Sequence, residues 1–108
     1  MVIDAVDTEV VAAFWAAALG YRRVTAVEQY EVLEPPSPGR PPLLVQGVAD
    51  AKTAKNRMHL DLHVADAEAE ASRLVGLGAA RLADGSLGEI RWITMSDPEG
   101  NEFDVCYD

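Results

Sequence analysis

The sequence predicts an α+β domain built from two consecutive copies of one module, each a strand, a helix and then about three strands. The signals that begin and end the two helices recur at nearly the same distance along the chain. The N-caps Asp7 and Asp66 lie 59 positions apart, and the glycines that stop the helices, Gly20 and Gly78, lie 58 apart. The residues that follow also match, with LGYRRV after the first helix and LGAARL after the second. The chain is therefore predicted to contain an internal repeat.

The first module shows the predicted element order clearly. Val2–Val6 reads as a short strand, and the following TEVVAAFWAAAL predicts an amphipathic helix whose Trp15 lies on the apolar side, which favours a core role. The segment 21–34 predicts one or two strands, and residues 43–46 a further strand. Between them, PPSPGRPP predicts a loop, because proline interrupts the hydrogen bonding of a sheet.

The second module repeats this order after a polar stretch, ADAKTAKNR. Met58–Val64 predicts a strand, AEAEASRLVGL a helix, and three more strands are expected at 79–83, 89–95 and 102–107. The residues in DGSLG and SDPEGN predict the turns between these strands. The predicted organisation is a single domain, 1–108, with repeats at about 1–48 and 58–108 and a linker at 49–57.

The strict alternation in RMHLDLHVAD decides which side chains share a face. His59, Asp61 and His63 fall on one face of the predicted strand, and Leu60, Leu62 and Val64 on the other. Two modules, each with one helix on one face, are predicted to pair into a curved mixed sheet with outer helices and a concave cleft. The polar side chains are then predicted to face the cleft.

The same argument applies to the last two strands. Three side chains of the last strand are predicted to face the cleft, and these are Glu102, Asp104 and Cys106. The face of Trp92 stays open, because Ile93 and Met95 on the opposite face of its strand are equally apolar.

Composition excludes some partners. With 18 acidic and 9 basic residues, the net charge of -9 disfavours nucleic acid and anionic membranes. The single cysteine forms no intrachain disulfide, and no signal peptide or apolar span is evident, so a reducing, cytoplasmic location is expected.

Three stretches carry a resemblance to a known family. FWAAALGY, KNRMHLDLHVAD and above all SDPEGNEFDV resemble the glyoxalase-like group of the vicinal oxygen chelate superfamily, which includes glyoxalase I, bleomycin-resistance proteins and extradiol dioxygenases. The resemblance covers about residues 4–105. It implies a paired βαβββ fold, a small-molecule ligand in the cleft and a homodimer.

The resemblance also implies a ligand set for a divalent metal such as Zn, Mn, Fe or Ni. His59 matches the ligand position in the first strand of the second module, and Asp104 matches the position that usually holds Glu in the last strand. The repeat offset of 58 makes Gln46 the counterpart of Asp104 and Met1 the counterpart of His59. Methionine and glutamine are poor ligands, so the metal set is predicted to be incomplete.

Two functions follow as hypotheses. The first is a small-molecule-binding protein of the glyoxalase and bleomycin-resistance type without a complete catalytic metal site. The second is a metal-dependent lyase, isomerase or dioxygenase acting on vicinal oxygens, in which Asp104 is the candidate base. A catalytically empty accessory module is a third interpretation. The residues predicted to contact the ligand are Asp61, His63, Trp92 and Glu102.

Each candidate residue also has a plainer interpretation. His59 would be a polar side chain held by neighbouring carboxylates, and His63 a solvated surface histidine. The carboxylates would form an acidic patch facing water, and Cys106 would be a small apolar filler instead of a reactive thiol.

Overall fold

Each half of the chain folds as a strand, a helix and three strands in a computed structural model that describes residues 1–107. The chain divides into two compact units, one ending at Lys52 and the other beginning at Thr53. The elements of the first unit are β1 (Val2–Ala5), α1 (Thr8–Leu19), β2 (Arg22–Val27), β3 (Tyr30–Glu34) and β4 (Leu43–Gly47). Those of the second are β5 (Leu60–His63), α2 (Ala67–Leu77), β6 (Ala80–Leu87), β7 (Ile90–Ser96) and β8 (Glu102–Tyr107). The predicted α+β fold of two βαβββ modules is confirmed.

The two units have the same sheet topology. The first sheet has the strand order β1-β4-β3-β2 and the second β5-β8-β7-β6. In each, the first and last strands of the module pair in parallel and the other pairs are antiparallel. The first strand of each module therefore lies beside the last, although most of the module separates them in sequence.

Both helices begin and end at the predicted residues. The carboxylates of Asp7 and Asp66 accept hydrogen bonds from backbone N–H groups three residues later, at 3.2 and 3.1 Å. Gly20 and Gly78 have φ angles of 69° and 118°, in the left-handed region that glycine adopts readily. None of the helices within residues 1–107 is long and apolar enough to cross a membrane.

Each helix packs its apolar side on its own sheet. In the first unit Trp15 is only 1% exposed, and the ring of Phe14 meets it edge-on at 5.1 Å between centroids, so Trp15 has the predicted core role. Leu74 of α2 is fully buried. In the second sheet, the fully buried strand side chains are Ile93, Met95, Phe103 and Val105.

The matching sequences after the helices form matching ion pairs. Arg23 donates two hydrogen bonds to the first-turn carboxylate of Glu9, at 2.9 and 2.6 Å. Arg81 makes the same two-bond contact with Glu68, at 2.7 and 3.0 Å. Hydrogen bonding to the guanidinium lowers the pKa of both carboxyls. The repeat thus extends to the contact that joins the start of each helix to the next strand.

The DPEGN segment forms a tight turn before β8, as predicted. Asp97 is only 3% exposed. Its carboxylate accepts hydrogen bonds from the backbone N–H groups of Glu99 and Asn101, at 2.9 and 3.0 Å. The Asn101 amide donates a third, at 2.8 Å. Gly100 has φ of 87°. A buried carboxylate at the centre of the turn therefore fixes where β8 begins.

Two strands, β5 and β6, have an end that differs from the sequence prediction by two residues or more. The first predicted strand after α2 ends at residue 83, but β6 continues through the next four residues, DGSL, to Leu87, which pairs with Ile90. The turn falls at Gly88, whose φ is 62°. Pairing along β7 outweighs the local turn preference of Asp and Gly. β5 is shorter than predicted, so His59 lies just before the strand.

Candidate functional site

The face of the second sheet away from its buried core carries two rows of side chains across the strands. Residues that pair across strands point to the same side, so the register of the strands defines these rows. One row, read from β5 to β6, contains His63, Cys106, Trp92 and Gly85. The next contains Asp61, Asp104, Thr94 and Ala83. We call the surface formed by Asp61, His63, Thr94, Asp104 and Cys106 the donor face.

A hydrogen-bonded group connects the donor face to His59. Thr94 donates its hydroxyl to Asp104 Oδ1 at 2.7 Å. His59 Nδ1 lies 3.0 Å from Asp61 Oδ1 and 3.6 Å from Asp104 Oδ2. Two carboxylates beside Nδ1 favour the proton on that nitrogen, which leaves the lone pair on Nε2. No hydrogen bond to Nε2 occurs within residues 1–107, so His59 can accept one from a ligand.

The donor face and the adjacent His59 together form two overlapping groups of possible metal ligands. One consists of His59, Asp61 and Asp104, and the other of Asp61, His63 and Cys106. Within each group the candidate ligand atoms all lie within 4.8 Å of one another. Asp61 belongs to both groups.

Cys106 is the buried member of the donor face. Its residue exposure is 6%, and burial raises the pKa of its thiol, with further contributions from the negative charges of Asp61 and Asp104. The thiol is therefore protonated at neutral pH in the metal-free chain.

The buried thiol is expected to react slowly with iodoacetamide. Alkylation requires an accessible thiolate, and both burial and the raised pKa of Cys106 reduce its population. Mass spectrometry should show modification of the native chain at pH 8 at a rate about tenfold or more below that of the same chain in urea, and an increase in the native rate above pH 9. Equal rates in buffer and urea would contradict this environment for Cys106.

The register also decides the face of Trp92. Because Trp92 pairs with Cys106 and Gly85, its half-buried indole lies on the helix-free side, at the edge of the donor face. A Cβ at position 85 would overlap the indole at Cε2 and Nε1, so the ring lies directly over Gly85. The absence of a side chain at Gly85 allows the Trp92 indole to lie against the backbone of β6.

Glu102 shares this side of β8, but its carboxylate is engaged elsewhere. It accepts a hydrogen bond from the backbone N–H of Asn56 at 2.7 Å and lies 3.4 Å from the ammonium of Lys55. The Asn56 amide also donates to the Glu102 carbonyl at 3.1 Å. Glu102 thus anchors the segment before β5, and its role as a ligand contact stays a prediction.

Gln46, the remaining predicted metal ligand, belongs to the first unit. It lies on β4 in register with Asp4 of β1 and Tyr30 of β3. Its assignment as a ligand stays a prediction. The second unit brings together His59, Asp61, His63 and Asp104 of the predicted residues without it.

Sequence reasoning missed the hydrogen bond from Thr94 to Asp104 and the approach of Cys106 to His63. The signal was the matching two-residue spacing of Asp61 with His63 and of Asp104 with Cys106. That spacing becomes informative once the two strands are known to pair in parallel with this register.

Comparisons with known proteins agree on one family. The family model of the glyoxalase-like domain matches residues 1–106. No curated protein matches the chain significantly.

Solved structures match over nearly the whole chain. Lactoylglutathione lyase from Agrobacterium tumefaciens is 20% identical with a TM-score of 0.70, the match covering 99% of this chain and 90% of that one. Fosfomycin resistance protein FosX from Mesorhizobium loti is 17% identical with a TM-score of 0.75, covering 100% and 88%. A glyoxalase/bleomycin resistance protein/dioxygenase from Nocardioides is 14% identical with a TM-score of 0.77, covering 99% and 80%. At these identities the structural matches show the fold alone.

Proposed function

Because the chain belongs to the glyoxalase-like domain family, we propose that it is a small-molecule-binding protein whose ligand lies on the donor face. The observation that carries this proposal is the fixed orientation of His59. The carboxylates of Asp61 and Asp104 lie beside Nδ1, and Thr94 donates a hydrogen bond to Asp104. Nε2 can therefore bind a ligand. Such an arrangement positions one polar anchor without using its outer nitrogen.

Charge and shape narrow the class of ligand. The side chain of Asp61 is 47% exposed, whereas that of Asp104 is only 14% exposed and bonded to Thr94. Trp92 offers an aromatic surface at the edge of the same face. Together with the net charge of -9, these groups favour an aromatic molecule with a cationic or hydrogen-bond-donating group.

The second candidate is metal-dependent catalysis, and its specific observation is the convergence of His59, Asp61 and Asp104. One imidazole and two carboxylates are a donor set that suits Zn, Mn or Fe, so these residues fit a divalent ion. A bound ion would supply Lewis acidity for two adjacent oxygens of a substrate. The chain would then be a lyase, isomerase or dioxygenase, with Asp61 and Asp104 as the candidate groups for holding or moving a proton near the substrate.

A homodimer in a reducing, cytoplasmic location completes the proposal. Each sheet has exposed edge strands, which homo-oligomers commonly cover, and the thiol of Cys106 is free. Light scattering coupled to size-exclusion chromatography measures the oligomeric state directly.

The charge preference is testable with two probes of similar shape and opposite charge, naphthylmethylammonium and naphthoate. The cation is expected to shift the NMR signals of His59 and of the Trp92 indole N–H, and the anion is expected to bind more weakly. Asp61→Asn keeps a hydrogen-bond acceptor for His59 but removes the exposed charge. We expect it to weaken binding of the cation about tenfold, the size of one charge-assisted hydrogen bond.

Glu9→Gln is the matched control, because Glu9 is an exposed carboxylate of the first unit. It should leave the affinity for the cation unchanged. Preferential binding of naphthoate, or shifts confined to other surfaces, would overturn the proposal. If either naphthyl probe binds only when a divalent ion is present, the second candidate function is favoured.

A further inference from the structure

Asp61, His63 and Cys106 form a mixed group of donors at one end of the donor face. We propose that these three residues bind a zinc ion, at a position beside the group around His59, with which it shares Asp61. His63 and Cys106 are direct partners in the parallel ladder of β5 and β8, and Asp61 lies two residues before His63 on the same face. Their ligand atoms all lie within 4.8 Å of one another. The inference concerns the metal and does not depend on the aromatic ligand proposed above.

The state of Cys106 points to a ligand. Cys106 is only 6% exposed, and its thiol makes no hydrogen bond within residues 1–107. The thiol lies near the negatively charged carboxylates of Asp61 and Asp104. An apolar filler would be expected among apolar side chains, whereas this thiol meets a carboxylate and an imidazole. The imidazole of His63 likewise has no hydrogen bond or ion pair in the described part of the chain.

The donor chemistry selects zinc. Thiolate and imidazole suit zinc, whereas magnesium and calcium prefer oxygen ligands. On binding, the Cys106 thiol releases its proton to solvent, and the thiolate and the Asp61 carboxylate together neutralise the two charges of the ion. Three protein ligands leave the fourth tetrahedral position open for water or another small ligand.

The geometry requires little rearrangement. Zinc bonds of about 2.3 Å to sulfur and about 2.1 Å to nitrogen place those two atoms about 3.6 Å apart in a tetrahedral site. The present limit of 4.8 Å is wider by about one ångström. His63 and Asp61 are exposed, so rotation of their side chains can close that difference without moving the strands.

The experiment uses the two histidines of the chain as a matched pair. Metal-free, reduced protein is titrated with Co²⁺, which reports a bound thiolate through a near-ultraviolet sulfur-to-cobalt charge-transfer band, and Zn²⁺ is then added to displace it. The charge-transfer band is expected to saturate at one Co²⁺ per chain and to disappear when Zn²⁺ is added. His63→Ala removes a ligand and should weaken Co²⁺ binding about a hundredfold or more, beyond the range typical of residues outside the coordination shell. Cys106→Ser should abolish the band. His59→Ala removes only a contact of the ligand Asp61, so it should keep the band and weaken Co²⁺ binding less than His63→Ala does.

Three results would overturn the inference. These are no charge-transfer band in the unmodified chain, an affinity for Co²⁺ that His63→Ala leaves unchanged, and an affinity that His59→Ala weakens as much as His63→Ala does. Both histidines are exposed, so circular dichroism is expected to show that their alanine variants are folded, and they carry the test if Cys106→Ser is unstable. Failure of the naphthyl probes to bind would leave these cobalt results unaffected, so the two proposals fail separately.

Discussion

Replacing Asp97 by alanine is expected to lower the free energy of unfolding by about 3 kcal/mol. The carboxylate is buried and accepts three hydrogen bonds, two from backbone N–H groups and one from the Asn101 amide. Alanine leaves these donors without their acceptor inside the turn, and unsatisfied buried donors are strongly destabilising. Urea denaturation followed by circular dichroism measures the change.

Asp97→Asn is the matched control. Its remaining side-chain oxygen can still accept from the N–H groups of Glu99 and Asn101, but its amide cannot accept from Asn101 Nδ2. We expect about half the loss seen with alanine. A loss below about 1 kcal/mol for Asp97→Ala would show that the turn forms without this carboxylate.

Gly85→Val is expected to lower the free energy of unfolding by about 2 kcal/mol, although valine favours strands. Any Cβ at position 85 overlaps the Trp92 indole, so either the ring or the strand must move. The NMR signal of the Trp92 indole N–H is expected to shift, and binding of the aromatic probe should weaken with it. Urea denaturation and NMR measure the two effects separately.

Ala83→Val controls for strand propensity. Ala83 lies two residues before Gly85 on β6, is exposed, and already carries a Cβ on the same face. It should leave the stability unchanged or slightly raised. The double variant Gly85→Val with Trp92→Ala should recover most of the lost stability, and no recovery would place the clash elsewhere.

The parts of the fold that depend on local chemistry were predictable from the sequence. Asp7 and Asp66 cap helices through their own side chains, and Gly20 and Gly78 end them through their backbone freedom. The repeat of these signals gave the modular α+β architecture. The alternation around Asp61 gave the correct face for the polar side chains of β5.

The donor face was less predictable, because it depends on how distant strands align. A shift of one residue between β5 and β8 would place Cys106 on the other side from His63. The face of Trp92 depended in the same way on its pairing with β8. The continuation of β6 from Asp84 to Leu87 was missed because pairing with β7 outweighs local turn preference.

The parallel pairing of β5 with β8 also affects when the donor face forms. His59 and Asp104 are 45 residues apart in sequence, and helix α2 and two strands separate β5 from β8. During synthesis on the ribosome, β5 has no partner strand within its own module until β8 has emerged. Closing so long a loop is a late, slow event compared with formation of a helix or a hairpin. A nascent chain therefore exposes His59, Asp61 and His63 without their partners on β8, and the complete set of donors appears only when the last strand joins the sheet.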